Sequence, residues 1–111
     1  MPKIPNAENA YVDERKLTEY ILNQEHPKGR HKAKVFESKL GLTKQDADLL
    51  VDALLKAVQN YDALLKNNDN YGQRYQIDFE LITELGTETV RSGWIIRTEE
   101  DFPRFLSCYI T

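Results

Sequence analysis

The chain has 111 residues, of which 41% are hydrophobic and 30% charged. This length and composition predict a single domain over residues 1–111 and exclude separate cofactor and substrate domains. No apolar run reaches the roughly 18 residues of a membrane span, and the first residues contain no apolar stretch of signal-peptide type, so we expect a cytoplasmic protein without membrane contact. The single cysteine, Cys108, excludes an internal disulfide and a cysteine-based zinc site.

The net charge of −3 conceals a local concentration of positive charge. Residues 26–34, HPKGRHKAK, include four cationic side chains, no acidic side chain and both histidines of the chain. Beyond Lys66 every basic residue is an arginine. A basic segment and isolated arginines on an acidic body predict a local anion site, not a protein that coats nucleic acid indiscriminately.

Hydrophobic periodicity predicts helices in the first half of the chain. Asp13 is a candidate N-cap for a first helix that ends near residue 23. A second helix is predicted over residues 30–40 with Gly41 as a left-handed cap, and a third over residues 44–59 after Thr43. The second and third helices have apolar stripes at helical spacing, formed by Ala33, Phe36 and Leu40 and by Ala47, Leu50, Val51, Leu54 and Val58.

The second half changes to the alternating pattern of β-strands. Strands are predicted over residues 74–81, 88–97 and 104–110, joined by short loops in an antiparallel meander. Residues 63–65 either continue the third helix or form a further short strand. The predicted fold class is therefore α+β, with N-terminal helices packed on one face of a three- to four-stranded antiparallel sheet.

Alternation assigns the strand residues to two faces of this sheet. The face toward the helices is expected to hold Tyr75, Ile77, Phe79, Leu81, Val90, Trp94, Ile96, Leu106, Cys108 and Ile110. The open face is expected to hold Arg74, Gln76, Arg91, Gly93, Ile95, Arg97, Phe105, Ser107 and Tyr109. Cys108 is thus expected to be a buried structural thiol.

The open face has the residue types of a phosphate or nucleotide site. Arginine suits phosphate because its planar guanidinium donates two parallel hydrogen bonds. Gly93 leaves room for a ligand to approach the backbone, and the aromatic rings of Phe105 and Tyr109 can stack on bases. The structural alternative is that the arginines pair with neighbouring carboxylates such as Asp78 and Glu80.

The segment HPKGRHKAK is a second candidate anion site. A loop that enters a helix at Gly29 would present free backbone N–H groups and the positive end of the helix dipole. The neighbouring basic side chains are Lys28, Arg30, His31 and Lys32. Histidine is the side chain best suited to general acid–base catalysis near neutral pH, and this segment holds His26 and His31. Metal-free RNA cleavage needs a base, an acid and cations around the phosphate. The structural alternative is a solvated helix start, with His26 capping a helix end.

Four stretches of the sequence resemble a family of short bacterial and phage domains classified as a domain of unknown function. They are IPNAENAYVDERKLTEYILNQEHPKGRHKAKVFESKLGL, YGQRYQIDF, VRSGWII and PRFLSCYI. The layout of helices followed by a sheet is similar to the barnase/EndoU/colicin/RelE superfamily of ribonuclease toxins. That resemblance implies a metal-independent endoribonuclease that leaves a 2′,3′-cyclic phosphate, and a small cognate antitoxin or immunity protein as partner.

The resemblance, the basic segment and the open sheet face together indicate which residues act. The catalytic candidates are His26, His31, Lys32, Arg91 and Tyr109, and the substrate-binding candidates are Lys28, Arg30, Arg74, Ser92, Arg97 and Ser107. Strict alternation places Ser92 on the core face unless a β-bulge at Gly93 reverses it. The expected substrate is RNA, with tRNA among the candidates. No cofactor is expected, and two histidines five residues apart without a nearby Asp or Cys make a poor metal site.

Two other functions are compatible with the same residues. One is a non-enzymatic binding module, such as an antitoxin or immunity protein, whose acidic second half meets a basic partner. The other is an RNA-binding module without catalysis, whose RNA affinity would fall with salt.

Overall fold

A computed structural model describes residues 2–111 and contains two α-helices and four β-strands. The helices are α1 (Arg30–Leu40) and α2 (Ala47–Asn60), and short helical turns precede them at Ala7–Asn9, Leu17–Ile21 and Lys44–Asp46. The strands are β1 (Leu64–Asp69), β2 (Gly72–Thr83), β3 (Gly86–Arg97) and β4 (Pro103–Ile110). They form one antiparallel sheet in the order β1-β2-β3-β4. The predicted α+β fold is confirmed, and residues 64–65 belong to a fourth strand.

The second and third predicted helices are confirmed, and their apolar stripes pack on the sheet. Ala33, Phe36 and Leu40 are buried on α1, which ends at Gly41 with φ 71°. The N–H of this left-handed residue donates to the Glu37 carbonyl at 2.8 Å, as in the αL cap motif. The buried residues of α2 include Leu50, Leu54 and Val58, whereas Val51 is half-buried.

The predicted first helix is present, but most of it is π-helical rather than α-helical. Asp13 does accept a backbone hydrogen bond from Arg15, but the regular structure that follows is a π-helical turn over Leu17–Ile21. The Leu22 N–H donates to the Leu17 carbonyl at 2.8 Å, one residue beyond the α-helical spacing. This wider turn buries Leu17, Ile21 and Leu22 together. The spacing of these apolar residues therefore favours the π-helical turn.

A β-bulge in β4 corrects the predicted sheet faces. Gly93 pairs with Ser107 whereas Trp94 pairs with Phe105, so Leu106 is the extra residue. Phe105 therefore lies in the core, with its ring 5.5 Å from that of Trp94, and not on the open face. Leu106 leaves the core and is half-exposed.

Candidate functional site

A cavity of about 330 Å³ lies on the open face of the sheet. A row of three cross-strand neighbours, Gln76, Gly93 and Ser107, runs across its floor on β2, β3 and β4. Four cationic side chains and one tyrosine are among the residues around this floor: Lys32, Lys66, Arg74, Arg91 and Tyr109. Asn67 also lines this space, and we call the space bounded by these nine residues the sheet-face cavity.

Arg91 is the best-fixed cation of the sheet-face cavity. It forms two parallel hydrogen bonds with Asp78, from Nε to Oδ1 at 3.0 Å and from Nη2 to Oδ2 at 3.0 Å. Asp78 and Tyr109 are its direct cross-strand neighbours on β2 and β4. These contacts raise the pKa of Arg91, first through the side-chain hydrogen bonds with Asp78 and then through one with Tyr109. The guanidinium is therefore a permanent and oriented charge.

Lys32 is the contribution of helix α1 to the sheet-face cavity. Its Nζ lies 5.4 Å from the centroid of the Tyr109 ring and 5.9 Å from that of Tyr20. Both distances are within the range of cation–π attraction. The ammonium group is thus held at the β4 side of the cavity beside Tyr109, which is also the cross-strand neighbour of Arg91.

The opposite wall comes from β1 and β2. Arg74 of β2 faces two residues of β1, Lys66 and Asn67, because the pairing of the two strands shifts between Leu65 and Asn68. Arg74 donates to Asp69 from Nη2 at 3.2 Å. The pKa of Asp69 is lowered, first by a backbone hydrogen bond from Tyr71 and then by this hydrogen bond from Arg74. The sequence analysis predicted Arg74 as a site residue but missed Lys66 and Asn67.

The histidines of the basic segment do not line the sheet-face cavity. Nδ1 of His26 accepts hydrogen bonds from the backbone N–H groups of Lys28 and Gly29, both at 3.0 Å, and its ring packs 4.5 Å from that of Tyr20. The expectation that the backbone N–H groups of this loop are free is therefore wrong for Lys28 and Gly29. The His26 ring closes the turn that leads into α1, and Gly29 stands at the N-cap position. His31 is exposed on the first turn of α1.

The other predicted site residues are scattered. Lys28 and Arg30 are exposed at the helix start. Arg97 lies at the far end of β3, beside a separate cleft that Lys16 and Arg104 also line. Arg104 is paired with Glu100 at 2.7 Å.

Ser92 has its side chain in the core, and the bulge does not reverse it. It is 0% exposed; its Oγ donates to the Ile77 carbonyl at 2.8 Å and accepts from Nε1 of Trp94 at 2.9 Å. Both hydrogen-bonding functions of the hydroxyl are thus used inside the protein. This geometry gives Ser92 a structural role, in contrast to Ser107 on the floor of the cavity.

Other kinds of site find little support in the part of the chain that the structure describes. Cys108 is buried, and burial raises the pKa of its thiol to about 12, so it is not a nucleophile at neutral pH. Within residues 2–111 no group of three or more His, Cys, Asp or Glu side chains is placed to hold a metal ion. No helix among the same residues is long and apolar enough to cross a membrane.

Comparisons with known proteins agree with this architecture. The fold is similar to a chain in the structure of a contact-dependent growth inhibition toxin–immunity protein complex from Klebsiella pneumoniae 342, with a TM-score of 0.70. The superposition covers 90% of this chain and 98% of that chain at 16% sequence identity, so the likeness shows a shared fold. No curated protein matches. Residues 3–111 match the family described as Domain of unknown function (DUF6883), and the chain therefore belongs to that family.

Proposed function

We propose that this protein is the toxin of a toxin–antitoxin or polymorphic-toxin system and that it cleaves RNA without a metal ion at the sheet-face cavity. The observation that carries the proposal is the convergence of Lys32, Arg74 and Arg91 on one cavity with Tyr109 and Ser107. Cations arranged in advance around a concave site stabilise the extra negative charge of a pentacoordinate phosphate. The similarity of the fold to a chain of a toxin–immunity complex supports the biological setting.

The reaction would be an internal transfer at phosphorus. The 2′-oxygen attacks the adjacent phosphorus, the bond to the 5′-oxygen breaks, and the products are a 2′,3′-cyclic phosphate and a 5′-hydroxyl. A base takes the proton of the 2′-hydroxyl, and an acid protonates the leaving oxygen. Arg91 and Arg74 bind the non-bridging oxygens, which suit the guanidinium fork.

Lys32 and Tyr109 are the groups we assign to proton transfer in the sheet-face cavity. Its lining residues include no histidine. The Lys32 ammonium is an acid that can protonate the leaving oxygen. The Tyr109 hydroxyl, which contacts Arg91, can orient the 2′-hydroxyl so that its proton passes to a water molecule of the solvent, which acts as the base. His31, the neighbour of Lys32 in sequence, remains the alternative acid–base residue if the substrate reaches the helix start.

Induced expression in bacteria tests the proposal with two adjacent residues as a matched pair. We expect the unaltered protein to arrest growth, Lys32→Ala to abolish the arrest, and His31→Ala to preserve it. If His31→Ala is harmless while Lys32→Ala still arrests growth, the acting site is the helix start and not the cavity. If the unaltered protein is harmless when it accumulates in folded form, the toxin assignment is wrong.

A specific observation favours a second function, the immunity or antitoxin role. Three of the four arginines beyond Lys66 are paired with carboxylates, namely Arg74, Arg91 and Arg104 with Asp69, Asp78 and Glu100. An acidic body with its arginines neutralised suits a protein that binds a basic partner. In that case expression alone does no harm.

A further inference from the structure

Gly93 occupies a position where the fold does not require glycine. A Cβ built at Gly93 would meet only the Ser107 carbonyl oxygen at 3.9 Å and Cβ of Leu106 at 4.0 Å, which are ordinary contacts. Gly41, by contrast, has a positive φ that other residues rarely adopt. Glycine in the interior of a strand is less stable than alanine, because it loses more conformational freedom on folding. The absence of a side chain at Gly93 therefore matters for the space in the sheet-face cavity, since the backbone conformation does not require glycine.

The gap above Gly93 is bounded by hydrogen-bonding groups on two sides. Gln76 and Ser107 are its direct cross-strand neighbours, and both are half-buried. The Gln76 amide nitrogen donates to Oδ1 of Asp78 at 3.4 Å, so this hydrogen bond does not use the amide oxygen. A planar ring lying on the Gly93 backbone would thus have an amide at one edge and a hydroxyl at the other.

The walls of the cavity add charge and an aromatic ring. Arg91, two residues before Gly93, and Tyr109, two residues after Ser107, lie on one side of the row formed by Gln76, Gly93 and Ser107. Arg74, two residues before Gln76, lies on the other side. Residues two apart on one strand face are about 7 Å apart, so a phosphate linked to the base through its ribose reaches either arginine. The volume of about 330 Å³ is at the small end for ligand sites and suits one nucleotide.

We infer that the gap at Gly93 seats one unpaired nucleotide of an RNA strand and so restricts the protein to single-stranded RNA. The base lies on the Gly93 backbone between Gln76 and Ser107, with its phosphate at Arg91 or Arg74. A paired base is excluded, because its polar edge is engaged and both of its faces are stacked inside the duplex. This inference rests on the proposed function in taking RNA as the ligand of the cavity.

Binding of a 2′-O-methyl oligoribonucleotide tests the inference apart from cleavage, because this probe lacks the attacking hydroxyl. Fluorescence anisotropy would compare the labelled single strand with the same strand annealed to its complement. We expect the unaltered protein to prefer the single strand by about tenfold or more, and Gly93→Ala to lose about tenfold in affinity for it. Gly93→Val should lose more, since its branched side chain fills the gap.

Gly86→Ala is the matched control, because a Cβ there also meets nothing closer than 3.9 Å but lies at the start of β3, away from the cavity. It should bind as the unaltered protein does. Thermal unfolding shows that the variants fold, and Gly93→Ala should melt about 2–4 °C higher than the unaltered protein.

The possible results separate the inference from the proposed function. Equal binding by Gly93→Ala and the unaltered protein, or equal affinity for single strand and duplex, overturns the inference even if RNA is cleaved. Binding that depends on Gly93 without any cleavage of unmodified RNA upholds the inference and overturns the ribonuclease proposal. If the protein binds neither the single strand nor the duplex, the inference is wrong. If it also fails to cleave unmodified RNA, the proposed function is wrong as well.

Discussion

Replacement of Ser92 by alanine tests whether its hydroxyl stabilises the fold, in contrast to the Ser107 hydroxyl in the sheet-face cavity. The Ser92 side chain accepts the only hydrogen bond found for the indole N–H of Trp94 in the described structure, and both residues are 0% exposed. Ser92→Ala leaves this donor buried without a partner and removes the hydrogen bond to the Ile77 carbonyl. A buried unsatisfied donor costs about 1–3 kcal/mol, so we expect the free energy of unfolding to fall by about 2–3 kcal/mol.

Urea unfolding measured by tryptophan fluorescence is the appropriate assay, because Trp94 is the one tryptophan of the chain. The expected loss lowers the midpoint by about 1–2 M urea. Ser107→Ala, on the half-exposed floor of the sheet-face cavity, is the control and should change stability by less than about 0.5 kcal/mol. A loss below about 0.5 kcal/mol for Ser92→Ala would refute the reasoning that this hydroxyl holds the core together.

Three further predictions concern His26, Glu14 and Cys108. His26→Ala should lower the free energy of unfolding by about 1 kcal/mol in thermal denaturation, because two backbone N–H groups lose their acceptor, and an unchanged value would contradict its capping role. The pKa of Glu14 is raised from its ordinary value of 4.5, chiefly by its side-chain hydrogen bond with Asp48. This contact therefore stabilises the folded protein at a pH below the ordinary pKa, and the stabilisation is lost as the pH rises through the raised pKa of Glu14. Glu14→Gln should therefore melt higher than the unaltered protein at pH 7 but equally at about pH 3, and equal melting at both would count against the pair. Cys108 should react with iodoacetamide only after unfolding, and rapid alkylation of the native protein would show that the thiol is not buried.

The sequence predicted those parts of the fold that depend on local patterns. Helix α1 and its cap follow from the spacing of Ala33, Phe36 and Leu40 and from the glycine that follows them, all of which are local. The strands follow from alternation, which also placed Arg91 and Tyr109 on one face. The position of β-bulges depends on how neighbouring strands pair, and that is why Phe105 was assigned to the wrong face.

The same limit applies to the candidate site. Lys66 and Asn67 join the sheet-face cavity through a shift in the pairing of β1 with β2, for which the sequence has no local signal. Lys32 was a candidate because of its place in the basic segment, whereas the structure associates it with Tyr109 on β4. His26 looked available for catalysis because the sequence does not show that its ring nitrogen accepts backbone hydrogen bonds.

Incubation of the purified protein with total RNA in EDTA tests the central claim most directly. We expect fragments with 2′,3′-cyclic phosphate and 5′-hydroxyl ends from the unaltered protein, and none from Arg91→Ala or Lys32→Ala at equal concentrations of folded protein. The His31→Ala protein should cleave like the unaltered one. Intact RNA at high protein excess would contradict the ribonuclease proposal, and cleavage by Arg91→Ala and Lys32→Ala would show that the sheet-face cavity is not the site.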